Sequence, residues 1–247
     1  MRLLKKWIFR LTSLENYLRI LQWGFFFLYR TGWLKRDARY ACYYYVKRLI
    51  RPGDVIVDIG ANLGYYSFLF ARWTGSSGKV LSVEPVAVYN RIFREKGKKY
   101  PNVVLYPCAL GREEGPVELV SSPATGRLHT GLPHIYDPQT DGLIEKQEFR
   151  FEAEMKIPSS LFSGLERMDY LKCDVEGFEY VILSEMKDLL RRFKPKVQVE
   201  VWDKNRVSIM ALFTELGYTP YKIDKNRLVA QTDCGDTLAG DYIFLPG

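Results

Sequence analysis

Histidine and cysteine are scarce in this chain of 247 residues: His129 and His134, and Cys42, Cys108, Cys173 and Cys234. No two cysteines make a C-x-x-C pair, and none stands at metal-like spacing from a histidine. No metal is therefore assigned, and reduced thiols in a cytoplasmic protein are expected. Long apolar runs are also missing. The longest, counting glycine, is Trp23 to Tyr29, far short of the roughly 20 residues that span a bilayer. Arg10 and Arg19 interrupt any signal-peptide core. Repeats, low-complexity tracts and domain linkers are absent, and no Arg/Lys-aromatic module points to nucleic acid. Two phosphate-binding loops are excluded as well. There is no Gly-Lys-Ser/Thr, and Asn62 stands where a dinucleotide fingerprint needs its second glycine.

The remaining composition, 47% apolar and 26% charged, suits one globular α/β domain with a sizeable core. The formal charge of +7 is compatible with an anionic membrane surface or an acidic substrate. The 17 Tyr, 14 Phe and 5 Trp crowd before Asp54, which separates an N-terminal helical extension, residues 1–50, from a domain over 51–247. Within 1–34 the apolar positions 4, 7, 8, 11, 14, 18 and 21 recur at helical spacing. Two readings stay open: a cap that packs on the domain and lines its cleft, or an amphipathic helix lying on the inner membrane face. A second helix is expected over Arg36 to Ile50.

The organising stretch begins at Pro52-Gly53. A strand from Val55 runs into Asp58, then Gly60-Ala61-Asn62-Leu63-Gly64, then a helix from Tyr65 to Arg72. This is the strand, glycine turn and helix that open a βαβ unit. Lacking a Cβ, Gly60 and Gly64 allow close approach of a ligand. A second strand, Lys79 to Val83, ends in Glu84-Pro85, an acid placed to bind both ribose hydroxyls of an adenosine ligand. A helix from Val86 to Tyr100 and a third strand, Val103 to Tyr106, follow. Next come the small residues Cys108-Ala109, with room for a ring beside them.

Residues 112–160 break this rhythm. Strand-like alternation over Val117 to Val120 and Glu148 to Met155 flanks a stretch rich in Ser, Pro, Gly and Thr, Ser121 to Gly142. This stretch, with 121–150 as the insertion, is expected to act as a substrate lid. His129 is the candidate imidazole base there, with His134 as the alternative. A fourth strand, Tyr170 to Cys173, runs into Asp174-Val175-Glu176-Gly177-Phe178-Glu179. Three acids at the carboxyl end of a strand suit a substrate hydroxyl, an amino group of a cofactor, or a cation. A helix over Phe178 to Phe193, a strand over Lys196 to Val201 and a helix over Val207 to Leu216 come next. Three closing strands, Tyr218 to Asp224, Arg227 to Ala230 and Asp241 to Leu245, are expected to be antiparallel.

Together, Val57-Asp58-Ile59-Gly60-Ala61-Asn62-Leu63-Gly64-Tyr65-Tyr66-Ser67, Val83-Glu84-Pro85, Ala109-Leu110-Gly111 and Leu171 to Glu179 resemble the FkbM-type family of S-adenosylmethionine (SAM)-dependent methyltransferases. The resemblance covers roughly residues 52–203. It implies a Rossmann-like class I three-layer sandwich with a mostly parallel seven-stranded sheet and SAM as methyl donor. Asp58 and the turn Gly60, Ala61, Asn62, Gly64 and Tyr65 would hold the methionine part. Glu84 with Pro85 would hold the ribose, and Cys108 and Ala109 would flank adenine. Asp174 would be a cofactor contact or, with Glu176 and His129, a candidate for catalysis. The implied reaction is methylation of a hydroxyl on a sugar, glycan, lipid-linked or secondary-metabolite acceptor. The rival readings are another nucleotide-binding α/β enzyme that uses NAD, and a non-catalytic membrane-associated protein that keeps the fold.

Overall fold

The computed structural model describes residues 11–121, 133–231 and 239–247. The chain enters through α1 (Leu14–Arg30), which Ser13 caps by accepting from the Asn16 amide. The expected helix over 36–50 is a run of 3-10 and α turns, Ala38–Tyr40, α2 (Ala41–Tyr45) and Val46–Arg48, set apart from a 3-10 turn at Trp33–Arg36. Asp37 is the cause. Its backbone is extended, and its carboxylate accepts from the Arg39 amide, so it starts a new turn instead of continuing one.

The first βαβ units follow the sequence closely. They are β1 (Val55–Ile59), α3 (Tyr65–Thr74), β2 (Lys79–Val83), α4 (Ala87–Gly97) and β3 (Val103–Tyr106). The irregular region supplies β4 (Ala109–Leu110), β5 (Gly115–Ser121), β6 (His134–Ile135), the turn α5 (Pro138–Asp141) and β7 (Phe149–Lys156). Next are α6 (Pro158–Leu161), β8 (Tyr170–Cys173), α7 (Glu179–Glu185), α8 (Lys187–Phe193), β9 (Lys196–Val201), α9 (Arg206–Glu215), β10 (Tyr218–Asp224), β11 (Arg227–Ala230) and β12 (Gly240–Pro246). The single helix expected over 178–193 is two, separated at Met186, a fully buried core residue.

The main sheet has the order β11-β10-β12-β9-β8-β1-β2-β3. Five strands, from β9 to β3, are parallel, and β12, β10 and β11 close the edge antiparallel. The resemblance implies seven strands, and the sheet has eight: the five parallel strands and the three closing strands read from the sequence, with Lys225 and Asn226 in left-handed conformations where β10 turns back into β11. A second sheet, β4-β7-β5-β6, is built from the region outside the βα rhythm. Strand order reverses about β1, which has β2 on one side and β8 on the other. Ligands of open α/β sheets bind at such a switch point.

Helix α1 seats on the domain rather than apart from it. Tyr17 and Leu18 are buried with Leu63, Val86, Tyr89 and Ile92, and each such side chain contributes roughly 1.5–3 kcal/mol. Arg19 pairs with Glu95 at 2.7 Å, and Arg91 pairs with Glu15 at 2.9 Å. The buried Gln22 amide donates to the Leu63 carbonyl at 2.7 Å, tying the helix to the glycine turn.

Candidate active site

A polar row crosses the middle of the sheet under α3. Ser82, Asp58, Lys172 and Gln198 are register partners on β2, β1, β8 and β9, and all four are buried. Ser82 donates to Ser67 Oγ at 3.0 Å, and Ser67 donates to Asp58 Oδ2 at 2.6 Å. Lys172 Nζ lies 3.8 Å from Asp58 Oδ1 and 3.0 Å from Asp174 Oδ2. Burial pulls this ammonium down, but Asp174 and Asp58 outweigh it and hold the group above the ordinary lysine range. Lysine was not legible as a site residue because one cation inside an apolar strand reads as a solvated side chain.

Beyond the strand ends lies a cavity of about 530 Å³, within the usual range for small-ligand sites. Gly60, Ala61, Asn62 and Tyr65 line it, with Glu84, Pro85, Cys108, Ala109, His134, Lys172, Asp174, Glu176 and Glu200. From α1, Ile20, Leu21, Gly24, Phe25 and Leu28 complete the wall. Asp58 and Gly64 do not reach it: Asp58 acts on the cavity through Lys172, and Gly64 caps α3 against Phe68. His129 lies outside the described residues. His134 is drawn into β6, where its Nε2 lies 2.9 Å from Asp141 Oδ1.

Gly60 closes the base of the cavity, with a φ of +74°. A Cβ there would collide with the Asp174 carbonyl oxygen. Gly60→Ala is therefore expected to lower stability by at least about 2 kcal/mol, the cost of overpacking plus an unfavourable φ. An unchanged thermal midpoint would contradict the close approach of β1 and β8.

The buried Glu84 carboxylate accepts from the Asn62 amide at 2.7 Å and the Val86 amide at 2.9 Å. Burial pushes it up to about 7, against the pull of these two N–H groups. One end of the cavity is acidic. Oxygens of Asp174, Glu176 and Glu200 lie within 4.8 Å of one another. Burial, then Asp174 and Glu179, push Glu176 up to about 8. Burial, then Asp174 and Glu176, push Glu200 upward as well. Glu200 sits at the end of β9, as Asp174 follows β8, and that shared position was the signal that could have marked it.

The third acid of the motif does something else. Glu179 is fully buried and turned inward: Oε1 accepts from the Val175 and Gly177 amides at 3.1 and 2.9 Å, and Oε2 from Asn205 Nδ2 at 2.7 Å. The expectation that all three acids serve a ligand is thus corrected. Glu179 folds the loop, because amides at a strand end need acceptors. The folded loop holds Glu176 at φ +56°, a left-handed conformation that costs about 1 kcal/mol or more outside glycine.

A family model described as the methyltransferase FkbM domain matches residues 58–223. The methyltransferase sdnD of Sordaria araneosa is 27% identical over 189 residues, 66% of this chain and 73% of that protein. Ribosomal RNA large subunit methyltransferase E of Cellvibrio japonicus is 28% identical over 145 residues, 56% of this chain and 68% of that protein. The crystal structure of a methyltransferase FkbM from Methylobacillus flagellatus aligns with a TM-score of 0.54 at 13% identity. That alignment covers 85% of this chain and 48% of the other, so this chain spans about half of that length and the likeness is one of fold. The glycine turn at the switch point, the buried acid closing β2 and the extent of the family match lead to one conclusion: the chain belongs to the methyltransferase FkbM domain family, whose methyl donor is S-adenosyl-L-methionine.

Proposed function

We propose that this chain methylates a hydroxyl group on a small acceptor of the sugar, lipid-linked or secondary-metabolite kind. The observation that carries the reading is Glu176, a partly buried carboxylate held in a strained conformation on the cavity wall and raised to about 8. A hydroxyl must lose its proton as it is methylated, and a positioned base near the working pH takes it.

The residues fit the methyl donor. Glu84, on the wall with its carboxylate fixed by two amides, is placed to accept from the ribose hydroxyls. The bare backbone at Gly60 and the walls at Cys108 and Ala109 leave room for a flat ring and a chain. Asp174, in the acidic end of the cavity, suits a ligand that carries positive charge. When bound, SAM supplies a methyl group already activated by its sulfonium. The protein's own part is to align the acceptor, exclude water beneath α1 and β6, and take the proton at Glu176. Lys172 holds Asp174 in place. Alignment alone can contribute about 7–11 kcal/mol in favourable cases.

Isothermal titration with SAM and, separately, NAD tests the donor site. Glu84→Ala is expected to weaken SAM about tenfold or more, the loss of hydrogen bonds to a charged group, with no NAD binding in either form. Isotope-labelled SAM with a panel of hydroxylated acceptors tests the transfer, and the label should end in a methyl ether. SAM affinity untouched by Glu84→Ala would overturn the donor assignment. Label found only on nitrogen or carbon would overturn the hydroxyl assignment.

A further inference from the structure

Helix α1 carries a second surface that methyl transfer does not use. Ile20, Trp23, Phe27 and Arg30 recur at spacings of three and four, so they share one helix face, and all four are exposed. Trp23 is 67% and Phe27 51% exposed, and their rings stack with centroids 5.3 Å apart. Just past the helix Trp33 is 59% exposed, with the Arg36 guanidinium 4.9 Å over its ring. Lys35 and Arg39 are exposed beside it. Ile20 belongs to this face and also to the cavity wall, so the face begins at the cavity rim. Charge is distributed to match. Residues 1–50 hold eleven Lys and Arg against two acids, a net +9, which leaves −2 for the rest of the chain.

We infer that this face docks on an anionic lipid bilayer, with α1 lying in the interface and the cavity rim turned toward the lipid. Indole and phenyl rings flanked by cations suit the boundary between headgroups and acyl chains. Basic side chains add attraction to anionic lipid within a Debye length. No helix among the described residues is long and apolar enough to cross a membrane, so α1 lies on the surface rather than through it. A second copy of the chain fits the face less well, because pairing would set one basic segment against another.

Co-sedimentation of the full chain with sucrose-loaded vesicles tests this without any methyl acceptor. One vesicle set is phosphatidylcholine alone and the other is phosphatidylcholine mixed with phosphatidylglycerol. The chain should pellet with the second set at low salt and be released at high salt. The Trp23→Ala/Phe27→Ala double variant should bind at least about tenfold more weakly, because the buried apolar area is lost, and so should Arg30→Glu/Lys35→Glu. Neither pair touches the cavity wall, so SAM affinity serves as the folding control. Absence of pelleting with anionic vesicles, or equal pelleting of parent and both variants, would overturn the inference. So would a dimer in sedimentation velocity that Trp23→Ala/Phe27→Ala splits, since a second copy would then cover the face.

Discussion

Lys172→Met is expected to cost about 3–5 kcal/mol of stability, the usual loss when one partner of a buried ion pair is removed. Methionine preserves most of the volume and the apolar stem, so little of the effect is a packing defect. What remains is an unpaired Asp58, whose carboxylate is fully buried and, among the described residues, otherwise held only by Ser67. Asp174 loses its partner at 3.0 Å as well. Urea unfolding should show a lower midpoint with an unchanged m-value. Adding Asp58→Asn to Lys172→Met should restore part of the loss, because it removes the orphaned charge. A midpoint shift worth less than about 1 kcal/mol, or a double variant no more stable than the single, would mean that the row is held by packing rather than charge.

Glu176→Gln is expected to lower kcat by a factor of about 10² to 10⁴, the typical contribution of a positioned base, with SAM affinity within about threefold of the parent. The amide keeps the shape and loses only the proton acceptor. The pH profile gives an independent reading. A carboxyl raised to about 8 by burial and neighbouring acids is protonated and idle below that value and free to accept above it. The kcat/KM of the parent should therefore climb as pH rises through about 8 and then level. In Glu176→Gln that climb should vanish. If the variant keeps both the rate and the climb, the base is another group, and His129 and Asp174 become the candidates.

The sequence makes the parallel part of the sheet readable because hydrophobic strands there end at turn residues and acids. Val55, Lys79, Val103, Tyr170 and Lys196 open strands at the expected positions. The cavity wall from Gly60 to Asn62, with Glu84, Asp174 and Glu176, follows from those strand ends. The misses share a cause, which is that each depends on contacts between distant segments. Lys172 meets Asp58 only through pairing across more than a hundred residues, and nothing local marks it as buried. Glu200 joins the acidic cluster only when β9 lies beside β8. Glu179 turns inward because the Val175 and Gly177 amides need an acceptor, which a residue pattern does not reveal. Asp37 starts a new helical run at Ala38 instead of extending the turn at Arg36, since its side chain takes up a backbone amide.

The polar row beneath α3 also fixes how the sheet can be assembled. Ser82, Asp58, Lys172 and Gln198 meet only in one alignment of four strands. A slip of one residue turns each side chain to the opposite face and strands the acid against apolar neighbours. An apolar sheet centre tolerates alternative offsets more readily, since one valine or isoleucine replaces another at little cost. Here Asp58 emerges early in synthesis, and its cation arrives more than a hundred residues later. The N-terminal βαβ units alone thus lack the cation that faces Asp58, and the β1–β8 junction is the pairing that brings it in.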